Sequence, residues 1–242
     1  MQMAPPAPRA DVALSAAAGL TSIAALVVAL VVAPPDALQG QAQRLMYVHV
    51  PAAWLAYACF AVVLVSSVAY LLRRDLRWDR RAQAAGELGV GMTALAIVLG
   101  SLWGRPVWGT WWVWDPRLVT TVVLLLVYAG YLSVRGLGDD REAGARRAAA
   151  VGIIGFVNVP VVHFSVVWWR TLHQPATVLS PDPAPMDGRM ALALVLAVVA
   201  FSLGGWLVVR RRVRVLADHD DTSPPTELTS GPAVVVRAGG HR

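Results

Sequence analysis

Six long apolar runs constrain this chain more than any other feature of its sequence. Crossing a hydrocarbon layer of about 30 Å takes roughly 20 helical residues, which is close to the length of each run. The runs lie at residues 12–33, 52–72, 88–104, 118–136, 148–168 and 190–209. Hydrophobic residues make up 57% of the chain and charged residues 15%, which is typical of an integral membrane protein. We therefore predict an all-α, polytopic membrane protein with six transmembrane helices.

The flanking segments set the expected domain limits. Residues 1–11 are predicted to be a disordered N-terminus, residues 12–210 the six-helix transmembrane domain, and residues 211–242 a basic, then disordered, tail. In that tail, disorder is expected from about Asp218 onward. The first run resembles a signal peptide because Ala33 precedes two prolines. Its apolar core is longer than the 7–15 residues of such peptides, however, so we expect a retained span.

Arginine positions predict the orientation, because the chain contains no lysine. Three connections are rich in arginine: Arg73, Arg74, Arg77, Arg80 and Arg81; Arg135, Arg141, Arg146 and Arg147; Arg210, Arg211, Arg212 and Arg214. The other three hold one or two each: Arg44; Arg105 and Arg117; Arg170 and Arg189. The positive-inside rule then places both termini in the cytoplasm. The net charge of +6 reflects this topology, and without aromatic interleaving it does not indicate nucleic-acid binding.

Tryptophans cluster in the connection between the third and fourth runs. Five of the ten tryptophans fall within twelve residues: Trp103, Trp108, Trp111, Trp112 and Trp114. A simple aromatic belt at the membrane surface needs only one or two per helix end. Asp115 follows the cluster at a position typical of a helix cap, a role compatible with a functional one. The pattern predicts an outer-face tryptophan-rich loop that binds a flat, apolar partner with polar edges.

Three histidines lie at or just below the same predicted face. His49 and His173 sit on separate loops that flank the tryptophan cluster, and imidazole is a common axial ligand of heme iron. The alternative for each is a hydrogen-bonded interfacial histidine. His163 lies inside the fifth run, where it could support the site from beneath or make a structural hydrogen bond. Cys59 stands alone in the second run and forms no disulfide framework or metal motif.

Arginines near the cluster could bind the carboxylates of a heme, since a guanidinium can contact both carboxylate oxygens. The alternative is that the aliphatic part of each side chain lies along the membrane interface while its charged group reaches water. The candidates are Arg105, Arg117 and Arg170.

These residues resemble the motifs of the CcmC family, the heme-handling C subunits of bacterial cytochrome c maturation, within the CcmC/CcmF/CcsA superfamily. Residues 103–120 are similar to its tryptophan-rich WWD motif, although Pro116 and Val119 depart from the signature. Residues 46–54 are similar to the first-loop histidine motif, and residues 158–175 to the motif of the fifth helix and third loop. The resemblance spans about residues 12–210.

The resemblance implies a heme transfer protein rather than an enzyme. It implies heme b at the extracytoplasmic face, with His49 and His173 as axial ligands and the tryptophan loop around the macrocycle. The cofactor-binding set would comprise Trp103, Trp108, Trp111, Trp112, Trp114, Asp115, Arg105, Arg117 and Arg170, with His163 in support. The implied partners are the heme chaperone CcmE, the ABC-type subunits CcmA and CcmB, and the small subunit CcmD. The protein would sit among the lipids of the bacterial plasma (inner) membrane.

Two other functions remain open from the sequence. A CcsA-like heme lyase component shares the tryptophan signature, but such proteins usually have more spans and a further intramembrane histidine pair. An ABC-type permease subunit without a bound cofactor would leave the tryptophans and their flanking histidines unexplained. The visible spectrum of the purified protein would discriminate among the three.

Overall fold

Each apolar run forms a helical segment, and the fifth run contains two α-helices. The computed structural model describes residues 9–138, 140–173 and 186–222. The α-helices in these ranges are α1 (Arg9–Val27), α2 (Met46–Arg73), α3 (Leu76–Trp108), α4 (Pro116–Ser133), α5 (Arg141–Gly155), α6 (Asn158–Trp168) and α7 (Gly188–Thr222). A π-helical turn, Val28–Val32, continues α1. Short 3-10 helices, Gln41–Leu45 and Val134–Gly136, precede α2 and follow α4.

The helices form six segments that are long and apolar enough to cross a membrane, counted over the described residues. The segments centred on α1, α2, α3, α4 and α7 each make one span, and α5 with α6 makes the fifth. The prediction of an all-α, multi-pass membrane protein with six spans is confirmed.

The fifth span is broken between α5 and α6, where the sequence predicted one continuous helix. Pro160 lacks the N–H that would bond the Phe156 carbonyl four residues earlier, which disfavours a continuous helix. The Asn158 amide donates to the Thr120 carbonyl on α4 at 2.9 Å. This hydrogen bond fixes the start of α6 against α4.

The first and last helices extend into segments for which disorder was predicted. Helix α1 begins at Arg9 and α7 continues to Thr222, beyond the expected limits at residues 12 and 210. Four ion pairs hold these ends: Asp11–Arg210, Asp11–Arg214, Asp220–Arg80 and Asp220–Arg141. The local composition favours disorder, but these contacts between distant helices stabilise the terminal turns. Residues 223–242 lie outside the described part of the chain.

Small residues allow the central helices to pack closely. The Phe60 ring on α2 stacks on the Tyr128 ring on α4, with centroids 3.6 Å apart. A Cβ added to Gly89 would lie 2.7 Å from the Phe60 ring, so α3 can approach α2 here only with glycine. The Tyr128 hydroxyl donates to the Gly152 carbonyl on α5 at 3.2 Å. This packing brings α2, α3, α4 and α5 into one core.

The bundle has two chemically different ends. We call the end that holds the connection between α3 and α4 the tryptophan end, and the end that holds the connection between α2 and α3 the arginine end. The last turn of α3 and the first turns of α2 and α4 lie at the tryptophan end, together with the residues that follow α6.

Candidate functional site

Two local signals define the connection between α3 and α4. Gly109 ends α3 in the left-handed conformation, with φ of 77°, and its N–H donates to the Arg105 carbonyl at 3.0 Å. Asp115 caps α4 by accepting the Arg117 N–H at 2.9 Å, and Pro116 occupies the first turn. Asp115 therefore caps α4, as the sequence predicts.

The tryptophan cluster is divided between a helix and a loop. Trp103 and Trp108 belong to α3, whereas Trp111, Trp112 and Trp114 lie in the connection. The sequence predicts all five on a loop, so for Trp103 and Trp108 this prediction is wrong. Helix α3 continues through Gly104 and Pro106 to Trp108, and Gly109 ends it in the left-handed conformation.

A cavity of about 330 Å³ lies at the tryptophan end. It falls within the range of small-molecule sites, which runs from roughly 300 to 1,000 Å³. Most of its wall is apolar, contributed by α2, α3, α4, α6 and α7. The predicted site residues in this wall are His49, His163, His173, Trp103, Trp108, Trp112 and Arg117. All three predicted histidines therefore face one cavity, although they come from distant parts of the chain.

His49 lies in the first turn of α2, not on a loop as the sequence predicts, and its ring is oriented by α3. Its Nδ1 lies 2.9 Å from the Ala96 carbonyl. Because a carbonyl oxygen can only accept, Nδ1 must carry the proton, and Nε2 is left with the lone pair that a metal needs. The ring meets Trp103 edge-on, with centroids 5.8 Å apart. A Cβ on Gly100 would lie 3.1 Å from His49 Cε1, so the glycine lets the imidazole lie close against α3.

His173 follows α6 in a non-helical segment. Its N–H donates to the Thr171 hydroxyl at 3.0 Å, and its ring lies edge-on to Trp108 at 6.4 Å between centroids. The Thr171 hydroxyl donates to Asp115, which also accepts the Leu172 N–H at 2.8 Å. Asp115 thus connects the cap of α4 to the segment that carries His173.

Asp115 is buried, with 5% of its surface exposed. Burial alone would raise the pKa of its carboxyl. The hydrogen bonds from Thr171 and from the backbone of Arg117 and Leu172, with the nearby charge of His173, outweigh burial and lower this pKa below its ordinary value. The carboxylate is therefore ionised at neutral pH and can accept all three bonds.

His163 lies on α6 and contributes to the same cavity wall. Its ring packs edge-on against Phe164, with centroids 4.9 Å apart.

Several predicted site residues lie outside the cavity wall. The Arg105 guanidinium donates to the Gly109 carbonyl and lies 6.0 Å from the Trp111 ring centroid. Arg170 is exposed. Trp111 and Trp114 are also exposed, at 56% and 85%. Of the three arginines considered for carboxylate binding, Arg117 is the one that lines the cavity.

The sequence analysis missed several polar and small residues of the wall, among them Tyr57, Thr93 and Gly100. Helical spacing could have identified two of them. Tyr57 follows His49 by eight positions on α2, and Gly100 precedes Trp103 by three on α3, so each shares a helix face with a predicted site residue. The partner of His49, the Ala96 carbonyl, has no sequence signal because every residue carries one.

The side chains of the cavity wall favour a metal-containing ligand in which most coordination positions of the metal are already filled by the ligand itself. A bare zinc ion usually needs three or four protein ligands, and the described residues contain no group of three His, Cys, Asp or Glu side chains placed for one. Heme iron needs only one or two axial ligands from the protein. Three imidazoles, indole rings and a single guanidinium around an apolar cavity suit such a macrocycle.

Comparisons with known proteins agree with this chemistry. The model of a family described as CcmC, heme exporter protein C, matches residues 4–223. The heme exporter protein C of Bradyrhizobium diazoefficiens is 40% identical over 171 residues, which cover 71% of this chain and 65% of that protein. The protein of the same name from Escherichia coli K12 is 42% identical over 154 residues, 63% of each chain.

A third relative aligns over a larger share of its length. The heme exporter protein C of Haemophilus influenzae is 36% identical over 191 residues, which cover 78% of each chain. The match thus spans slightly less than two thirds of the Bradyrhizobium and Escherichia proteins and more than three quarters of the Haemophilus protein.

Proposed function

Since this chain belongs to the CcmC family, we propose that it binds heme b in the cavity at the tryptophan end and transfers it to the heme chaperone CcmE during cytochrome c maturation. One observation carries the proposal: His49 and His173 come from opposite halves of the chain and line the same cavity, beside three tryptophans. The printed names of the relatives, heme exporter protein C, support the same cargo.

The residues have separate tasks in this proposal. His49 offers Nε2 to the iron, because its Nδ1 is bonded to the Ala96 carbonyl. His173 is the second axial ligand. Trp103, Trp108 and Trp112 supply apolar surface for the macrocycle. Arg117 binds a propionate, for which its planar guanidinium is suited.

His163 has a supporting role. It lines the cavity from α6, inside the fifth span, whereas the two proposed ligands lie nearer the end of the bundle. A polar side chain within a span usually faces the interior and serves function. His163 can therefore hydrogen-bond to the bound molecule without coordinating the iron.

We also propose an orientation in the membrane that suits this cargo and these partners. The protein lies in the plasma (inner) membrane with both termini in the cytoplasm, as the arginine distribution indicates. The tryptophan end then faces outward, where CcmE receives heme. CcmA, CcmB and CcmD complete the membrane complex.

The visible spectrum of the purified protein tests the proposal most directly. Protein from heme-replete cells should carry heme with the low-spin spectrum of bis-imidazole ligation in both ferric and ferrous states. When mixed with CcmE, it should lose heme to the chaperone, whereas a CcsA-like lyase would attach heme to apocytochrome c without CcmE. A heme-free protein, or direct attachment to apocytochrome, would contradict the proposal.

Reporter fusions test the orientation separately. A reporter that is active only outside the cytoplasm should be active when fused after Gly109. It should be silent when fused after Asp79 or Asp140. The reverse pattern would place the cavity on the cytoplasmic side.

A further inference from the structure

We propose that Asp115 and Thr171 are positioning residues that hold His173 where it can bind heme iron. The family resemblance implies that Asp115 contacts the bound molecule, whereas in the structure its carboxylate accepts hydrogen bonds from protein donors. The inference rests on the proposed function in one respect, that His173 is an iron ligand.

A continuous set of hydrogen bonds leads from α4 to His173. Asp115 Oδ1 accepts the Arg117 N–H at 2.9 Å, and Oδ2 accepts both the Thr171 hydroxyl and the Leu172 N–H, the latter at 2.8 Å. The Thr171 oxygen in turn accepts the His173 N–H at 3.0 Å. A hydroxyl can donate one bond while accepting another, so Thr171 suits this intermediate place.

The segment after α6 needs such an anchor because it is not helical. Helix α6 ends at Trp168, and the backbone N–H groups of Leu172 and His173 find their acceptors in side chains rather than in a helix or sheet. The anchor itself is firm, since Asp115 begins α4 and its carbonyl accepts the Val119 N–H at 2.9 Å. The hydrogen bonds to Asp115 therefore hold the backbone of His173 in a fixed position relative to α4.

The two proposed ligands are thus held by different means. The Ala96 carbonyl of α3 contacts the His49 ring directly. Asp115 and Thr171 instead fix the backbone on which His173 is carried. Groups that orient a ligand in this way commonly change metal affinity by 10- to 100-fold when they are replaced.

A matched pair of threonine substitutions tests the proposal. Thr171→Val removes the hydroxyl at nearly constant volume, and Thr171→Ser retains it. The control Thr120→Val removes a hydroxyl one turn into α4 whose hydrogen bonds, within the described residues, go to carbonyls of the same helix. Two readouts are needed: amide hydrogen exchange of residues 169–173 without heme, and the spin state of bound heme.

We expect Thr171→Val to speed exchange of the His173 amide about tenfold or more, because it loses its acceptor. The same variant should shift heme from low-spin to high-spin, and added imidazole should restore the low-spin spectrum. Thr171→Ser and Thr120→Val should match the wild type in both readouts. Exchange or spectra in Thr171→Val that equal the wild type would overturn the proposal.

Asp115→Asn separates positioning from capping. Asparagine caps helices about as well as aspartate, so α4 should begin normally. The Arg117 N–H and the Leu172 N–H bond to different carboxylate oxygens, and in asparagine one of these oxygens is replaced by an NH2 group that cannot accept. With the remaining oxygen on the cap of α4, the Leu172 amide should exchange faster. Unchanged exchange at Leu172 would contradict the assignment.

The two readouts keep this inference apart from the proposed function. If the wild type binds no heme, the proposed function fails, while the exchange arm still decides whether Thr171 and Asp115 hold the segment. If the wild type shows low-spin heme that depends on His173 and Thr171→Val leaves it unaltered, the function stands and the positioning role is wrong.

Discussion

The two ends of the bundle use their polar side chains in opposite ways. At the arginine end, carboxylates pair with arginines from other helices: Asp11 with Arg210 and Arg214, Asp79 with Arg135, Glu87 with Arg212, and Asp220 with Arg80 and Arg141. At the tryptophan end, Asp115 accepts bonds from a hydroxyl and from backbone N–H groups. Arg117 there faces the cavity.

This difference separates polar groups that hold the fold from groups that can hold a ligand. The Asp79–Arg135 pair is 2.8 Å long and nearly buried, with 5% and 12% of the side chains exposed. Arg135 also donates to the Tyr131 hydroxyl at 2.6 Å, so both terminal nitrogens of its guanidinium bond to the protein, whereas its Nε has no partner among the described residues. At the other end, His49 bonds through one ring nitrogen to a backbone carbonyl, whereas the rings of His163 and His173 lie edge-on to aromatic rings. All three histidines also line the cavity.

The largest expected effect is at the proposed iron ligands. His49→Ala or His173→Ala should open one coordination position and give high-spin heme or loss of heme, and added imidazole should restore the low-spin form. His219→Ala, at the arginine end, should leave the visible spectrum unaltered. A wild-type spectrum in the His49, His173 double variant would contradict this assignment and leave His163, in the same cavity, as the principal alternative.

The next effect is on stability and belongs to the arginine end. Asp79→Ala should leave Arg135 as an unpaired buried charge and cost about 3–5 kcal/mol. Glu142→Ala removes an exposed partner of Arg146, at 3.4 Å, and should cost about 0.5 kcal/mol or less. Thermal unfolding in detergent measures both.

The heme spectrum of the folded Asp79→Ala fraction should match the wild type. A changed spectrum at a temperature where the protein is folded would show that the two ends are coupled, and the division of roles would fail.

A smaller effect distinguishes the tryptophans within their own end. Trp108→Ala with Trp112→Ala removes two cavity-lining rings, each worth about 1–3 kcal/mol of apolar contact. Heme should then dissociate at least about tenfold faster. The matched pair Trp111→Ala with Trp114→Ala removes exposed rings and should change heme retention little. Equal losses in both pairs would show that the whole cluster contacts heme, as the sequence analysis expected.

The sequence predicted the fold and the main ligand candidates, and physical reasons explain what it missed. Six apolar runs suffice for six spans, since the hydrocarbon layer requires length and apolarity of any helix that crosses it. The helical ends at Arg9 and Thr222 depend on ion pairs between distant helices, which local composition does not encode.

The candidate site shows the same limit. Aromatic density and two histidines from distant parts of the chain made His49 and His173 candidates for one site, and the resemblance to the CcmC family implied that both are ligands. The structure brings both to one cavity. The contacts that orient them depend on a backbone carbonyl at Ala96 and on the hydroxyl of Thr171. Neither has a distinctive sequence pattern, because each gains its meaning only from a neighbour that is distant in the chain.

The smallest expected effect comes from a methyl group on α3. In Gly100→Ala the new Cβ would lie 3.1 Å from His49 Cε1, so the imidazole must move by a few tenths of an ångström. We expect a slight shift in the heme absorption maxima and a modest rise in the high-spin fraction, with the protein still folded.

Gly91→Ala, on the same helix with no neighbour within 4 Å, should leave the spectrum unchanged. Both substitutions gain up to about 1 kcal/mol of helix propensity, so stability alone cannot produce a difference between their spectra. Identical spectra would mean that the His49 ring is not held against α3 when heme is bound, and the contrast between a rigid ligand at His49 and a tethered one at His173 would be lost.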